Sequence, residues 1–197
     1  MNLFENRTKA GRKLARHLEN KIEFETVVVP YSEAYNVSCE VATHFNADVV
    51  PRLADFISSP EAPYANIGAV AEDGTIWIED ALRKELEVPT RHISNSARII
   101  SKNLKSRSTE IYSKRDSDWT SGNILIVSDG ISSGFREAAV AGSLKKEGAK
   151  NVYIGAPHVS ENMMADLESV VEAVFYLNKL AFLSSPDACY GEKDDNK

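Results

Sequence analysis

The sequence predicts an α/β domain built on a parallel sheet with helices on both faces. Three observations favour this fold class. Short β-branched runs, such as residues 25–30, alternate along the chain with segments of helical periodicity. The connections between these segments are short, as is typical of parallel strands joined through helices. One run, residues 124–127, continues into a loop rich in glycine and serine and then into an alanine-rich helix.

The first quarter of the chain contains one strand–helix–strand unit preceded by a helix. Leu14, Ala15 and Leu18 share one face of that first helix. Proline has no backbone N–H to donate to a neighbouring strand. Pro51 therefore predicts that the second strand lies at an edge of the sheet, or that Pro51 is among the strand's last residues. The predicted elements are a helix over 5–19, a strand over 25–30, a helix over 34–45 and a strand over 48–53.

The middle of the chain predicts a small hood beside the sheet. Residues 55–66 contain two prolines and two serines and are interpreted as a surface loop. Residues 68–78 form a predicted hairpin, since Asp73-Gly74 suits a tight turn between two apolar runs. A long helix is predicted from Pro89 to about Arg115. Positions 91–115 hold seven Lys or Arg residues and one acid, so this helix either has a solvated basic face or lines the rim of an anionic-ligand site.

The last third alternates strands and helices again. A strand over 123–128 precedes a helix over 134–147, and strands over 152–157 and 170–176 flank a helix over 160–168. Residues 185–197 are polar and acidic and are expected to form a frayed tail. With no repeat or linker between these segments, residues 1–197 are expected to form a single domain.

Composition excludes several classes of function. Hydrophobic residues make up 43% and charged residues 26%, which is ordinary for a globular protein. The net charge of −6 gives no reason to expect a nucleic-acid partner. No apolar run approaches the roughly 18–20 residues that a membrane span needs. The two cysteines lack metal-ligand spacing, and a cytoplasmic location is expected.

Residues 124–134 carry the strongest chemical signal. A buried strand that runs through glycine and serine into a helix start exposes backbone N–H groups, and the helix dipole adds positive potential there. Ser132 and Ser133 add hydroxyl donors, and Asp129 can accept hydrogen bonds from a sugar or hold Mg²⁺. The same pattern also suits a tight strand-to-helix turn capped by serines, so the motif alone leaves both interpretations open.

Four segments of the chain together resemble the phosphoribosyltransferase family, and more closely its uncharacterised bacterial and archaeal members. The segments are residues 4–15, 67–74, 126–134 and 148–157. The resemblance implies a parallel-sheet core with a small hood, phosphoribosyl pyrophosphate as ligand, Mg²⁺ as cofactor, and a homodimer. It assigns Ser128 and Asp129 to the acidic pair that holds the ribose hydroxyls. It also assigns Asp129 the catalytic role and places the 5-phosphate in the loop around Gly130, Ile131, Ser132, Ser133 and Gly134.

The chain departs from the family pattern at several positions. Ser128 replaces one of the two carboxylates, and Phe135 and Arg136 stand where the family has a small residue and a threonine. Phe135 is expected to crowd the cradle, whereas Arg136 is expected to supply a cation to the phosphate. The family's glycine-rich pyrophosphate turn is replaced by residues 30–34, which contain no glycine and add Glu33.

Arg52 matches a basic position of the family. It is predicted either to contact phosphate or pyrophosphate or to form an ordinary surface ion pair.

Two functions follow from these residues. The first is a Mg²⁺-dependent phosphoribosyltransferase of nucleotide metabolism, acting on an acceptor base that the sequence does not identify. The second is a catalytically degenerate relative that binds a nucleotide monophosphate or another phosphate ligand as a sensor or interaction module. The altered turn at residues 30–34 is the feature that separates them, because a true enzyme should offer backbone N–H groups there.

Overall fold

The computed structural model describes residues 3–111 and 120–191 of the chain. Its larger sheet has five parallel strands in the order β2-β1-β6-β7-β8, and a second sheet has three antiparallel strands in the order β3-β4-β5. The strands are β1 Thr26–Val29, β2 Asp48–Pro51, β3 Ala54–Ser58, β4 Asn66–Ala71, β5 Ile76–Ile78, β6 Asn123–Val127, β7 Asn151–Ser160 and β8 Ala173–Leu180. The helices are α1 Arg7–Leu18, α2 Tyr35–Phe45, α3 Asp80–Glu85, α4 Thr90–Ile111, α5 Phe135–Lys146 and α6 Met164–Val170.

Helices cover both faces of the parallel sheet, which confirms the predicted fold class. Successive residues of β6 point to opposite faces, as the twofold period of a strand requires. Leu125 packs with Leu14 of α1 and Val37 of α2, whereas Ile124 packs in a second core cluster with Leu144 of α5. The central strands are buried on both sides, and this explains their continuous apolar runs.

The predicted loop over residues 55–66 is wrong in its first part. Residues Ala54–Ser58 form β3, which pairs with β4 and buries Ile57 completely. The prolines and serines that suggested a loop lie mostly after this strand, between residues 59 and 65. The predicted hairpin is present, with Gly68 opposite Ile78, and the small sheet packs against α4 and α5.

The long basic helix is also present. Ile93, Ala97 and Leu104 of α4 are buried, as the predicted apolar stripe requires. The final part of the predicted helix, residues 112–115, lies outside the described residues.

The end of the chain differs from the frayed tail predicted for residues 185–197. A 3₁₀ turn over Pro186–Cys189 brings Tyr190 beside Phe4, and both aromatic side chains are buried. Cys189 and Tyr190 provide apolar anchors within a segment whose overall composition is polar. Residues 192–197 lie outside the described part of the chain.

Every helix within residues 3–111 and 120–191 is too short or too polar to cross a lipid bilayer.

Candidate functional site

The candidate site lies between the ends of β1 and β6, the central pair of the parallel sheet. From β1 the chain moves outward to β2, whereas from β6 it moves in the opposite direction through β7 to β8. Such a reversal opens a crevice at the carboxyl ends of the two strands, which is where open α/β sheets bind ligands. Tyr31 follows β1, and residues 128–134 follow β6, so these two segments border the crevice.

Residues 132–134 form a turn that leads into the N-terminus of α5. Gly134 adopts a left-handed conformation with φ of 67°, and no side chain caps the helix start. Ser132 and Ser133 are half-buried, and within the described residues neither hydroxyl has a hydrogen-bond partner. Uncapped N–H groups, two hydroxyls and the positive end of the helix dipole together make a cradle for an anion.

The first half of the same loop is fastened to β7. The Ile131 N–H donates to the carbonyl of His158 at 3.0 Å, and the Ser160 N–H donates back to the Ile131 carbonyl at 2.8 Å. Ile131 therefore anchors the loop, since its N–H already has an acceptor. Gly130 lies directly against the His158 ring, where a Cβ atom would be only 2.1 Å from Nε2.

Asp129 is enclosed by side chains of its own protein. Its carboxylate accepts hydrogen bonds from Arg7 Nε at 2.8 Å and from the Tyr31 hydroxyl at 3.0 Å, and its side chain is only 1% exposed. The Tyr190 hydroxyl donates to its backbone carbonyl. Burial raises the pKa of Asp129, and the charge and hydrogen bonds of Arg7, together with the Tyr31 hydroxyl, oppose that rise. A ribose hydroxyl can reach this carboxylate only by displacing one of these donors.

Ser128 is completely buried beside Asp129. Its hydroxyl hydrogen-bonds to the Glu137 carboxylate in the first turn of α5, and it lies 3.0 Å from the Tyr31 hydroxyl. Glu137 is only 3% exposed, so a buried carboxylate stands close to the position where the family pattern has its second acid.

The altered turn over residues 30–34 places Tyr31 in the crevice. Residues Ser32–Ala34 form a 3₁₀ turn, and the Ala34 N–H donates to the Tyr31 carbonyl at 3.2 Å. The Tyr31 ring is buried, and burial raises the pKa of its hydroxyl well above the ordinary value. This aromatic side chain connects the end of β1 with Ser128 and Asp129.

The two predicted basic residues lie in different places. The Arg136 guanidinium carbon is 3.4 Å from the Tyr31 ring centroid, so Arg136 belongs to the crevice. Arg52 is buried in an ion pair with Glu147, the C-cap residue of α5. Because a helix of 12 residues is about 18 Å long, the Arg52 guanidinium lies at the end of α5 opposite the anion cradle.

The structure has clear relatives among solved proteins. A protein from Thermus thermophilus superimposes with a TM-score of 0.73 at 21% identity, covering 98% of this chain and 91% of its own. The adenine phosphoribosyl transferase of Trypanosoma brucei, solved with AMP, pyrophosphate and ribose-5-phosphate, superimposes with a TM-score of 0.50 at 11% identity, covering 96% and 70%. This chain has the phosphoribosyltransferase fold.

Sequence comparison agrees with this fold. Two Mycobacterium tuberculosis proteins, from strains CDC 1551 and H37Rv and provisionally named phosphoribosyl transferases, are 26% identical over 179 residues. The match covers 90% of this chain but only 40% of the length of these curated relatives. No family model matches the chain. The predicted resemblance to the phosphoribosyltransferases is thus confirmed.

Phe135 does not crowd the phosphoribosyltransferase-type cradle, contrary to the expectation from sequence. Its ring stacks on Trp77 of β5 with centroids 5.0 Å apart and is buried in the core. The large side chain therefore fixes α5 against the small sheet.

Mg²⁺ is the ion that the resemblance implies. Within the described residues, no group of three His, Cys, Asp or Glu side chains is placed to hold a metal. Asp129, the predicted ligand, already binds the cationic side chain of Arg7, which repels a second cation. As arranged, these side chains do not fit a resident Mg²⁺.

Several residues of the site are not among those predicted from the sequence. Arg7, Tyr31, Glu137, His158 and Tyr190 all contact Ser128, Asp129 or Gly130, and they come from five separate segments of the chain. Tyr31 alone could have been assigned to the site from the sequence, because it directly follows β1, the strand that a parallel sheet places beside β6. The other four reach the loop through tertiary packing.

Proposed function

We propose that this protein binds a 5-phosphorylated ribose compound in the crevice and acts as a phosphoribosyltransferase. It would transfer the phosphoribosyl group of phosphoribosyl pyrophosphate to a nitrogen nucleophile. The observation that carries the proposal is the uncapped cradle at residues 132–134, located where the parallel sheet reverses its strand order. The fold, and the ribose-5-phosphate and pyrophosphate in the structure of the Trypanosoma relative, support it.

In this reaction the bond from the ribose C1 to pyrophosphate breaks as the nitrogen lone pair forms a bond to C1. The chain contributes chiefly position and charge. Backbone N–H groups of residues 132–134 and the first turn of α5 would hold the 5-phosphate. Asp129 would accept the ribose hydroxyls in place of the Tyr31 or Arg7 donors, and Arg136 would supply positive charge beside the leaving pyrophosphate.

A second candidate function is a non-catalytic sensor of nucleotide monophosphates. The specific observation in its favour is that Tyr31 and Arg7 already satisfy Asp129, while the 3₁₀ turn after Tyr31 contains no glycine to admit a pyrophosphate. The 5-phosphate cradle would then remain in use without the pyrophosphate half of the site.

Calorimetric titration distinguishes the two functions. Phosphoribosyl pyrophosphate, ribose 5-phosphate and nucleoside monophosphates would be titrated separately, each with and without Mg²⁺. For the enzyme we expect phosphoribosyl pyrophosphate to bind at least about tenfold more tightly than ribose 5-phosphate when Mg²⁺ is present. Equal affinities for all three compounds would instead support the sensor, and no binding of any of them would reject the cradle itself.

A matched pair of variants locates the phosphate. Replacing Ser132 and Ser133 together by alanine should weaken ribose 5-phosphate binding about tenfold, because two hydroxyl donors are lost while the backbone donors stay. Ser94→Ala on the exposed face of α4 removes a similar hydroxyl far along the chain and should leave the affinity unchanged. Equal effects of the two variants would contradict the assignment.

The remaining expectations belong to the same proposal. A homodimer is expected from the family resemblance, and sedimentation equilibrium would test it. A cytoplasmic role in nucleotide metabolism without nucleic-acid or membrane partners is also proposed.

A further inference from the structure

A chain of buried hydrogen bonds links α5 to the carboxylate that is proposed to accept the ribose hydroxyls. The Ser128 hydroxyl donates to the carboxylate of Glu137, in the first turn of α5. Ser128 Oγ lies 3.0 Å from the Tyr31 hydroxyl. The same tyrosine hydroxyl lies 3.0 Å from Asp129 Oδ1. Each of these four residues is at most 5% exposed, so solvent takes little part in the bonds.

The direction of the bond between Ser128 and Glu137 follows from the chemistry of the two groups. An ionised carboxylate only accepts hydrogen bonds, whereas a serine hydroxyl has a single proton to donate. Because this proton is given to Glu137, the Ser128 oxygen is left as an acceptor on the side of Tyr31. Ser128 Oγ and Asp129 Oδ1 therefore present two neighbouring acceptors to the group that lies between them.

The Tyr31 hydroxyl lies between these two acceptors and satisfies them incompletely. Burial raises the pKa of this hydroxyl, and the charges of Glu137 and Asp129 raise it further, so the hydroxyl keeps its proton. A single proton serves one acceptor well at a time. Two adjacent hydroxyls of a ribose bring two protons and can serve both acceptors. The pair of acceptors is therefore better matched to a vicinal diol than to the side chain that occupies it.

Tyr31 is the outermost member of this network. It lines a cavity of about 200 Å³, whereas Ser128, Asp129 and Glu137 do not. A ligand that enters from this cavity therefore meets the Tyr31 side chain before it reaches the two acceptors. The bond between Ser128 and Glu137 lies deeper and can remain in place when the tyrosine hydroxyl is displaced.

On the basis of the proposed function, we infer that Glu137 is a positioning residue for the ribose. It holds the proton of Ser128, so that Ser128 Oγ and Asp129 Oδ1 together accept two adjacent ribose hydroxyls. Glu137 acts only through Ser128 and does not contact the sugar. Ser128 thereby owes its acceptor character to a carboxylate nine positions further along the chain.

Paired sugar phosphates that differ by one hydroxyl test this role. Ribose 5-phosphate and 2-deoxyribose 5-phosphate would each be titrated calorimetrically into the full chain. We expect the unmodified protein to bind ribose 5-phosphate about tenfold more tightly, because the deoxy compound leaves one buried acceptor without a donor.

Two substitutions of Glu137 separate its role as an acceptor from its charge. Glu137→Met should reduce the preference for ribose 5-phosphate to about threefold or less, because the Ser128 proton then turns to Asp129 and occupies one of the two acceptors. Glu137→Gln keeps a side-chain oxygen that accepts this proton, so it should retain a larger preference than Glu137→Met. Equal preferences in the two variants would contradict the role as an acceptor.

A double-mutant cycle tests whether Glu137 acts through Ser128. Ser128→Ala should lower the preference as far as Glu137→Met does, and the double variant should lower it no further. A second drop in the double variant would overturn the inference. Glu147→Met is the matched control, because it removes an acid at the other end of α5, where Arg52 keeps its contact with Glu72. It should leave the preference unchanged.

Tyr31→Phe gives a readout that does not depend on the folding of the Glu137 variants. It removes the hydroxyl that the ribose has to displace and leaves the bond between Ser128 and Glu137 intact. We expect it to bind ribose 5-phosphate about threefold more tightly than the unmodified protein does. Weaker binding would show that the tyrosine hydroxyl contacts the ligand, and it would contradict the displacement.

Failure of this inference is separable from failure of the proposed function. Equal binding of the two sugar phosphates to the unmodified protein would overturn the inference, as would an unchanged preference in Glu137→Met. In both cases ribose 5-phosphate still binds, and the proposed function stands. If ribose 5-phosphate does not bind at all, the proposed function fails first.

Discussion

Asp129, a predicted ligand-binding residue, already has hydrogen-bond donors and a cationic partner within its own chain. The carboxylate is buried, and a charge in that position is stable only with close partners. Arg7 supplies the charge at 2.7 Å, and the Tyr31 hydroxyl supplies a second donor. Ligand binding at this residue therefore has to exchange one set of hydrogen bonds for another.

Removal of Arg7 tests this arrangement. Arg7→Met should lower the free energy of unfolding at pH 7 by about 3 kcal/mol, because it leaves the buried Asp129 carboxylate without its cation. The folded-state pKa of Asp129 would rise further, so the loss should be smaller near pH 4, because the variant's carboxyl takes up a proton more readily as the pH falls. Urea denaturation at the two pH values measures both effects.

Lys9→Met is the control for this variant, since Lys9 lies in the same helix and pairs with Glu5 on the surface. It should change the stability by less than about 0.5 kcal/mol. If Arg7→Met lowers the free energy of unfolding equally at both pH values, the loss comes from side-chain packing and not from the charge of Asp129.

The burial of His158 predicts that the stability of the protein depends on pH. It is fully buried, and burial followed by the charge of Arg7 lowers its pKa to about 4, opposed by a hydrogen bond with the backbone of Pro186. Between pH 6.5 and 4 the unfolded chain binds a proton at this residue that the folded chain does not. Stability should therefore fall as the pH drops through this window, by about 3 kcal/mol in total from this residue.

The variant His158→Leu isolates this effect. It removes the titrating group and replaces two buried polar nitrogens by an apolar side chain of similar size, so it should be about as stable as the unmodified protein at pH 7. Its denaturation midpoint should change less between pH 6.5 and 4. Parallel pH profiles for the two proteins would contradict the role given to His158.

At the scale of elements, the loop after β6 is shaped by the strand beside it. Ile131 forms an isolated bridge with Val159, and Gly130 is pressed against the His158 ring. The loop thus leaves β6 as an extension of the sheet and turns into α5 only at Gly134. Because residues 130 and 131 are held against β7, the later part of the loop, residues 132–134, borders the crevice.

Gly130→Ala tests the fit between the loop and β7. The new Cβ atom would lie 2.1 Å from His158 Nε2, and a buried ring has no free space to move into. The free energy of unfolding should fall by about 2 kcal/mol or more through overpacking. In a His158→Ala background the same substitution should cost much less, and equal costs in both backgrounds would show that the two residues are not coupled.

At the scale of the whole molecule, the two ends of the described chain meet over the site. Phe4 and Tyr190 form a bridge, and the Tyr190 ring lies 5.4 Å from the His158 ring. Arg7 also pairs with Asp187. The segment around Tyr190 therefore packs against the loop after β6 and holds Arg7, a partner of Asp129, in place.

Tyr190→Ala should be strongly destabilising for this reason. Loss of a buried aromatic ring and of its hydrogen bond to the Asp129 carbonyl is expected to cost about 3 kcal/mol or more in unfolding free energy. Phe182→Ala is the control, because that ring is 77% exposed and its loss should cost less than about 0.5 kcal/mol. Comparable losses from the two variants would contradict the packed closure.

The order of most strands and helices, the parallel sheet and the glycine- and serine-rich turn at residues 132–134 could be predicted from the sequence. These features depend on local periodicity, glycine and serine placement, and short connections, all of which neighbouring residues encode. The strand Ala54–Ser58 was missed because its short apolar run borders a segment rich in proline and serine.

Which side chains complete the site depends on tertiary packing. Arg7, Tyr31 and Tyr190 converge on Asp129 from segments up to 122 positions away, whereas Arg52 turns toward Glu147 at the far end of α5. No local pattern records such contacts, because they follow from how the helices and the chain ends pack on the sheet. The sequence therefore specified a glycine- and serine-rich turn at a helix start, and packing alone determined that the acidic residue before this turn is already held by the protein itself.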